Sequence, residues 1–399
     1  MTPRVLIIAG SDSGGGAGIQ ADIKTVTMLG GHATTAVTAL TAQNTLGVQG
    51  VHPVPAAFVV EQMRSVVRDI GADAVKIGMI GSAETANAVA DELERLDAPV
   101  VFDPVMVATS GSALADADTI AAFERLMRLA DLVTPNVPEL ERLWGHRARY
   151  EAEGEAGAIE LAARYGCAIL AKGGHRPPAD TAQVLDPATG EPSDDLISDC
   201  LATPDGATLF WTGTLLDAAA SHGTGCTLAS AIATYLARGE PLTAAVERAR
   251  LFVRLAMRDA PGFGAGAGPM AQQAVRLDLG SGPRLNQVAV PADDYEASCA
   301  FYRALELRQI VHASNGYARF EAAGGATLSI HRGPAGVYLE HDDPDAAVER
   351  ARAAGLAIES GPENKCWGWR EAWLVDPAGN RVCLYRAGEH RRFPPWRIG

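Results

Sequence analysis

Cysteine is scarce and scattered: six in 399 residues, at positions 167, 200, 226, 299, 366 and 383, with no C-x-x-C pair. That spacing excludes a simple dithiol redox motif and a disulfide framework, and fits free thiols in a reducing cytoplasm. Positive charge is also short. Only 34 Lys and Arg stand against 48 Asp and Glu, a formal net charge of −14. This argues against a nucleic-acid surface, since phosphate-backbone binding depends on Lys and Arg. A small anionic substrate stays compatible, because one local cluster of donors outweighs the global charge. No stretch reaches the ~18 continuous apolar residues of a spanning helix. The amino-terminal run "RVLIIAG" is too short for a signal segment and ends in glycine, as a buried strand does. The chain also lacks a G-x-x-x-x-G-K-[ST] phosphate loop, and its glycine-rich stretch lacks the G-x-G-x-x-G dinucleotide spacing. The expectation is a soluble cytoplasmic protein with no nucleic-acid or membrane partner.

What is there is ordinary globular composition, 47% hydrophobic and 21% charged, in a chain long enough for two or three domains. Residues 1–260 alternate short β-branched runs with helical patterns: "RVLIIAG" then "GIQADIKTVTMLGG", "AVKIGM" after "VVEQMRSVVRDIG", "PVVFDPV" after "ETANAVADELERL", "DLVTPN" after "IAAFERLMRLA", and "CAILAKGG". Such alternation predicts an α/β fold with a mostly parallel sheet and helices on both faces. Ligands of such sheets bind at the carboxyl ends of the strands, and here those ends run into Gly, Asp, Asn and Lys.

The Gly/Ala-rich segment 262–283 reads as the boundary region, and the pattern changes after about residue 280. We expect a first domain over 1–268, a linker over 269–284, a second domain over 285–388 and a tail over 389–399. The halves 285–332 and 336–386 form a weak repeat of ~50 residues, each read as βαβββ, giving a smaller α+β domain. "DPAGNR" sits where a hairpin turn belongs. The basic, Pro-rich tail "RRFPPWRIG" is expected on the surface.

Two stretches carry chemistry. "SDSGGGAGIQAD" lies between a strand and a helix, where backbone N–H groups can face an anion or a ligand can approach closely. "HGTGC" opens a helical run, "TLASAIATYLA". A helix N-terminus carries roughly half a positive charge and four unpaired N–H donors, a cradle for a phosphoryl group. The same field would lower the pKa of Cys226, so that its thiolate could accept a proton near neutral pH. Alternatively, Cys226 is a small buried residue at a glycine-rich helix start.

The ordered series "GSDSGGGAGIQADIKT", "TALTAQNT", "KIGM", "DPVM", "TPNVPE", "KGGH" and "HGTGC" resembles the hydroxymethylpyrimidine kinase / phosphomethylpyrimidine kinase family of thiamine biosynthesis, within the ribokinase-like superfamily. The resemblance covers about residues 1–265. It implies ATP-dependent phosphorylation of a small pyrimidine alcohol and then of its monophosphate, with Mg²⁺ as cofactor, and leaves room for a homodimer. It assigns Asp22 and Gln43 to the aminopyrimidine, and Gly10, Met79 and Val105 to the wall around it. Cys226 would be the base, and Gly223, Thr224 and Gly225 would complete the anion hole with it. Lys172 would lie near the ATP phosphates, with Asn136, Glu139 and Thr224 on the nucleotide side and Asp103 and Glu139 organising Mg²⁺. Taken singly, Lys172 also reads as a solvated strand end, Asn136 and Glu139 as a helix-capping pair, and Met79 as core. The stretch between "KGGH" and "HGTGC" departs from the family pattern, which leaves the nucleotide-side contacts in 176–220 open.

Residues 285–386 resemble the glyoxalase / bleomycin-resistance group through "LNQVAV", "FYRALELR", "GVYLEHDDPDAAVERARAAG" and "DPAGNRVCLY". At the positions where metal-dependent members of that group carry ligands stand Gln287, Gly336 and Cys383, with His331 and His341 nearby in sequence. We expect no metal site there and an accessory small-molecule-binding module. The alternatives are a metal-dependent second activity, supported by Gln287, and a pyridoxal-type kinase reaction in the first domain.

Overall fold

The computed structural model describes residues 2–107, 114–148, 151–173, 184–185, 192–193, 196–216, 221–275, 282–313 and 316–398. It divides into two units, Met1–Gln273 and Ala274–Gly399. In chain order the first comprises β1 (Arg4–Ala9), α1 (Gly18–Met28), β2 (His32–Val37), β3 (Ala39–Asn44), β4 (Gly47–Pro53), α2 (Ala56–Asp69), β5 (Ala74–Ile77), α3 (Ala83–Leu93), β6 (Val100–Phe102), α4 (Ala117–Leu129), β7 (Leu132–Val133), α5 (Val137–Trp144), α6 (Glu151–Tyr165), β8 (Ala168–Ala171), β9 (Val184–Leu185), β10 (Pro192–Ser193), β11 (Leu196–Ala202), β12 (Thr208–Thr214), α7 (Thr224–Leu236) and α8 (Leu242–Arg258).

Its main sheet has the order β12-β11-β8-β7-β6-β5-β1-β2. The six strands from β2 to β8 are parallel, and the antiparallel pair β11–β12 closes one edge. The expected mostly parallel α/β sheet is therefore present. Strands such as Val5–Ile8 are apolar without alternation because helices bury both faces. Leu6, Ile8, Val75, Ile77 and Phe102 pack with Val59 and Met63 of α2, Val89 of α3, Phe123 of α4 and Leu161 of α6. On the opposite face α7 packs against α1, α8, β5 and β6. The strands β3 and β4 form a separate hairpin.

The second unit comprises β13 (Arg284–Pro291), α9 (Tyr295–Ala304), β14 (Arg308–Ala313), β15 (Tyr317–Glu321), β16 (Thr327–His331), β17 (Gly336–Glu340), α10 (Pro344–Ala353), β18 (Ala357–Asn364), β19 (Arg370–Val375) and β20 (Arg381–Arg386). The strand order β14-β15-β16-β13-β17-β20-β19-β18 is the same βαβββ arrangement twice, joined antiparallel through β13 and β17. The predicted turn is the reversal between β19 and β20, where Asp376 N–H donates to the Asn380 carbonyl at 3.0 Å.

The tail differs from the surface reading. Arg391 is fully buried, and its guanidinium donates to the carbonyls of Asn286 (3.2 Å) and Gly325 (2.6 Å) and to the Thr327 hydroxyl (3.2 Å). Arg392 and Arg397 pair with Glu321 at 2.5 and 3.0 Å. Basic residues read as solvent-seeking are here spent on backbone carbonyls, a hydroxyl and a carboxylate, the partners that make burial of a charge tolerable.

Candidate active site

The carboxyl ends of β1, β5, β6, β7 and β8 and the first turn of α7 surround a cavity of about 730 Å³, within the usual range of small-molecule sites. It is lined by Gly10, Gln43, Met79, Asp103, Val105, Asn136, Glu139, Lys172, Gly223, Thr224, Gly225 and Cys226, which the sequence scatters over more than half the chain. Asp22 is the predicted site residue that does not line it. Gly10 lets the Met79 side chain lie against the backbone, since a Cβ there would fall 2.1 Å from Met79 Cε and the methionine would have to move.

The glycine loop after β1 spends its donors internally. The Asp12 carboxylate accepts the N–H groups of Gly14 (2.8 Å), Gly16 (2.9 Å) and Ala17 (2.7 Å), occupying the concavity that the sequence offered to an external anion. His222 Nε2 lies 2.9 Å from Asp12 Oδ2 and 3.2 Å from Gln43 Nε2. Burial alone would raise the pKa of Asp12, but His222 and the loop N–H groups outweigh it and hold the carboxyl below its usual range.

The second glycine-rich stretch opens α7 at the cavity. Gly223 caps the helix at φ +82°, and a Cβ there would lie 1.9 Å from the Gly16 carbonyl oxygen, so only glycine fits. A Cβ at Gly225 would stand 3.1 Å from Lys172 Nζ and 3.3 Å from Asp103 Oδ2, which places the helix start directly against those two charges. Cys226 is half-buried in this turn. Its pKa departs from the sequence expectation of a lowered value: burial pushes the thiol up to about 11, with Asp22 and Asp103 adding to the rise and Lys76 opposing it. Desolvation of a thiolate outweighs the partial charge of one helix terminus.

Opposite the thiol, Lys172 Nζ donates to Asp103 Oδ1 at 2.9 Å, and the Thr134 hydroxyl donates to the same oxygen at 3.0 Å. Burial would lower the pKa of Lys172, but Asp103 and Glu139 raise it, so the ammonium stays charged. Asn136 and Glu139 form a reciprocal capping box on α5 at 2.9 and 2.8 Å while facing the cavity, so the capping and site readings coincide. Burial raises the Glu139 carboxyl to about 7. Among the described residues no three His, Cys, Asp or Glu side chains gather as a metal cage. Asp103 and Glu139 bring two carboxylates to one cavity, oxygen donors of the kind that suit Mg²⁺.

Sequence reasoning missed Asp12 and His222, although both lie inside quoted motifs. It also missed the pair Arg250–Asp199 (2.6 Å) at the cavity's far side, where Asp199 also accepts Gly173 N–H at 2.9 Å. Arg250 sits on a helix with no local signal, and Asp199 falls in the divergent stretch. Residues 176–183, 186–191, 194–195 and 217–220 of that stretch, and His175 of "KGGH", lie outside the described residues.

In the second unit Gln287 Oε1 accepts the Thr327 hydroxyl at 2.8 Å. Cys383 is fully buried, and burial raises its thiol pKa far above the usual range. The register sets Gln287 opposite Tyr338 and Tyr338 opposite Cys383, so tyrosine rather than Gly336 completes that row. Trp369 stacks on Tyr385 at 4.8 Å, and Tyr338 and Trp373 pack on the same cluster. His331 and His341 stand at strand ends, and burial lowers the pKa of each.

A family model described as phosphomethylpyrimidine kinase matches residues 12–271, and one described as the glyoxalase/bleomycin resistance protein/dioxygenase superfamily matches residues 284–384. The thiamine biosynthesis bifunctional protein ThiED of Geobacter sulfurreducens is 46% identical over 268 residues, covering 67% of this chain and 51% of that protein. The multifunctional ThiED of Corynebacterium efficiens is 42% identical over 286 residues, covering 69% of this chain and 36% of that protein. The chain thus spans about half or less of the length of these two curated relatives. The hydroxymethylpyrimidine/phosphomethylpyrimidine kinase of Rhizobium meliloti is 43% identical over 277 residues, covering 68% of this chain and 97% of that protein. Among solved structures, phosphomethylpyrimidine kinase from Clostridium difficile matches with TM-score 0.53 and 34% identity over 64% of this chain and 99% of that one. An ADP complex of Bacillus subtilis pyridoxal kinase matches with TM-score 0.59 and 26% identity over 69% of this chain and 100% of that one.

Proposed function

The chain belongs to the phosphomethylpyrimidine kinase family and carries a glyoxalase-superfamily domain after it, and from that premise we propose that its first unit uses ATP to phosphorylate 4-amino-5-hydroxymethyl-2-methylpyrimidine and then the resulting monophosphate. The observation that carries this reading is the meeting of the Cys226 turn with the Lys172–Asp103 pair across one cavity that also holds Gln43 and Met79. Gln43 offers a donor and an acceptor to the aminopyrimidine, and Met79 and Val105 give its ring an apolar wall. The hydroxymethyl oxygen attacks the terminal phosphorus of ATP as the bond to the bridging oxygen breaks, and ADP leaves. The first N–H groups of α7 and the Lys172 ammonium take up charge that spreads over the transferred phosphoryl oxygens. The proton of the attacking hydroxyl passes to Cys226 as thiolate, a minor form at neutral pH for a thiol held at about 11. Asp103 and Glu139 would hold Mg²⁺, directly or through water, and the ion supplies charge neutralisation on the phosphates. A cytoplasmic setting, where ATP and free thiols coexist, fits the free cysteines.

For the second unit we propose an accessory small-molecule-binding role without a metal of its own. The support is chemical: glycine and a buried thiol occupy two candidate ligand positions, and the Gln287 carbonyl already accepts a hydrogen bond.

ATP consumption measured with hydroxymethylpyrimidine, its monophosphate and pyridoxal tests the kinase reading. Turnover on the first two is expected. Turnover on pyridoxal alone would move the assignment to the pyridoxal kinases, and none on any would refute it.

A further inference from the structure

Lysine in the middle of an apolar parallel strand is rare unless paired. Lys76 sits between Val75 and Ile77 on β5, and neither its side chain nor that of Asp22 reaches solvent. Lys76 Nζ donates to Asp22 Oδ2 at 2.8 Å, and the Ser230 hydroxyl donates to Asp22 Oδ1 at 2.7 Å. Ser230 lies four residues after Cys226 on α7, and so on the same face of that helix. One carboxylate from α1 therefore ties β5 to the helix whose first turn holds the reacting thiol. Gly78 keeps the space open, since a Cβ there would fall 2.7 Å from Lys76 Nζ. Lys76 and Asp22 do not line the cavity.

A buried ion pair is a poor device for stability alone, because apolar residues of similar volume often serve as well. Its place in the fold suggests another use. The charged groups acting on Cys226 are Lys76 from β5, Asp22 from α1, Asp103 beyond β6 and Lys172 beyond β8. Asp103 and Lys172 face the phosphate side of the cavity, where Lys172 is already paired. Lys76 acts on the thiol from outside the cavity lining.

We propose that Lys76 is a positioning residue for phosphoryl transfer: its ammonium, locked by Asp22 and Ser230, fixes the first turn of α7 and supplies the positive field in which Cys226 exchanges its proton. Asp22 then serves the thiol's helix rather than the pyrimidine. The proposal rests on the kinase reading above.

The test uses the full chain with Lys76→Met, Lys76→Arg and the double variant Lys76→Met/Asp22→Asn, which leaves no unpaired buried charge. Iodoacetamide alkylation of Cys226 is followed by peptide mass from about pH 6 to about pH 10, the rising limb below a thiol held at about 11. Lys76→Met should slow alkylation roughly tenfold at each pH on that limb, while Lys76→Arg stays near wild type. The turnover number should fall by a similar factor, with KM for hydroxymethylpyrimidine changed less than about threefold. If Lys76→Met does not fold, the double variant decides, with a smaller slowing expected. A folded variant lacking Lys76 that keeps the wild-type alkylation rate overturns the proposal. Alkylation needs no substrate, so a wild-type protein inactive on both pyrimidines refutes the kinase reading without touching the thiol result.

Discussion

His222 and Asp12 are 210 residues apart in sequence and 2.9 Å apart in space. The contact fastens the glycine loop after β1 to the loop that enters α7, so the two halves of the site share one carboxylate. Asp12→Asn should weaken the fold by about 1–3 kcal/mol at neutral pH, as expected for a buried charge-assisted network. The folded carboxyl is held below its ordinary value, so its stabilisation is present above about pH 4 and is lost as pH falls through the lower folded value. Urea unfolding at neutral and acid pH should therefore show a shallower acid loss in the variant. An unchanged acid limb would separate Asp12 from acid stability.

Cys226→Ala should leave ATP binding intact and lower turnover on the order of 10²–10⁴-fold, the usual worth of a positioned proton acceptor. With the wild-type thiol at about 11, turnover should rise with pH above neutrality as the thiolate fraction grows. A flat rate profile in that range, measured with chemistry limiting, would assign Cys226 to orienting the hydroxyl.

The Lys172–Asp103 pair makes a two-sided prediction. Lys172→Met removes a cation from the phosphate side and should cost on the order of 10²-fold or more in turnover with a smaller change in pyrimidine KM. Asp103→Asn should instead raise the Mg²⁺ concentration needed for half-maximal rate. Steady-state titrations of each substrate and of Mg²⁺ distinguish the two.

Two glycines should fail differently. At Gly223 an added Cβ meets a backbone oxygen at 1.9 Å with φ at +82°, so Gly223→Ala should destabilise the first unit by more than about 2 kcal/mol. At Gly10 it meets the end of the flexible Met79 side chain, so Gly10→Ala should keep most stability and raise KM for the pyrimidine. Thermal unfolding read beside KM checks both.

Arg391→Ala should destabilise the second unit by about 3–5 kcal/mol, because a buried cation that satisfies several acceptors is lost. Kinase activity, carried by residues of the first unit, should persist. Loss of a separate unfolding transition with retained turnover is the expected calorimetric and kinetic outcome.

The strands and helices were legible because each is a local pattern: unbroken apolar runs for buried parallel strands, and periodic faces for the helices that cover them. The repeat after residue 284 was legible for the same reason. Gly10, Met79, Asp103, Lys172 and Cys226 could be named through the ordered motifs that resemble the kinase family, and each lines the cavity at or just beyond a strand end or a helix start. The direction of the Cys226 pKa was not legible. A helix terminus can be read from local sequence, whereas desolvation depends on what packs around the thiol.

Sequence by itself determined where the chain turns polar at the sheet's edge and which residue types arrive there, because backbone periodicity and glycine placement are local properties. Tertiary structure alone decided the partners: Asp12 with His222, Asp22 with Lys76 and Ser230, and Arg391 with the carbonyls of Asn286 and Gly325. Each buried charge must find its counter-group somewhere in the fold. Which group that is depends on crossings between distant elements, which no local pattern encodes.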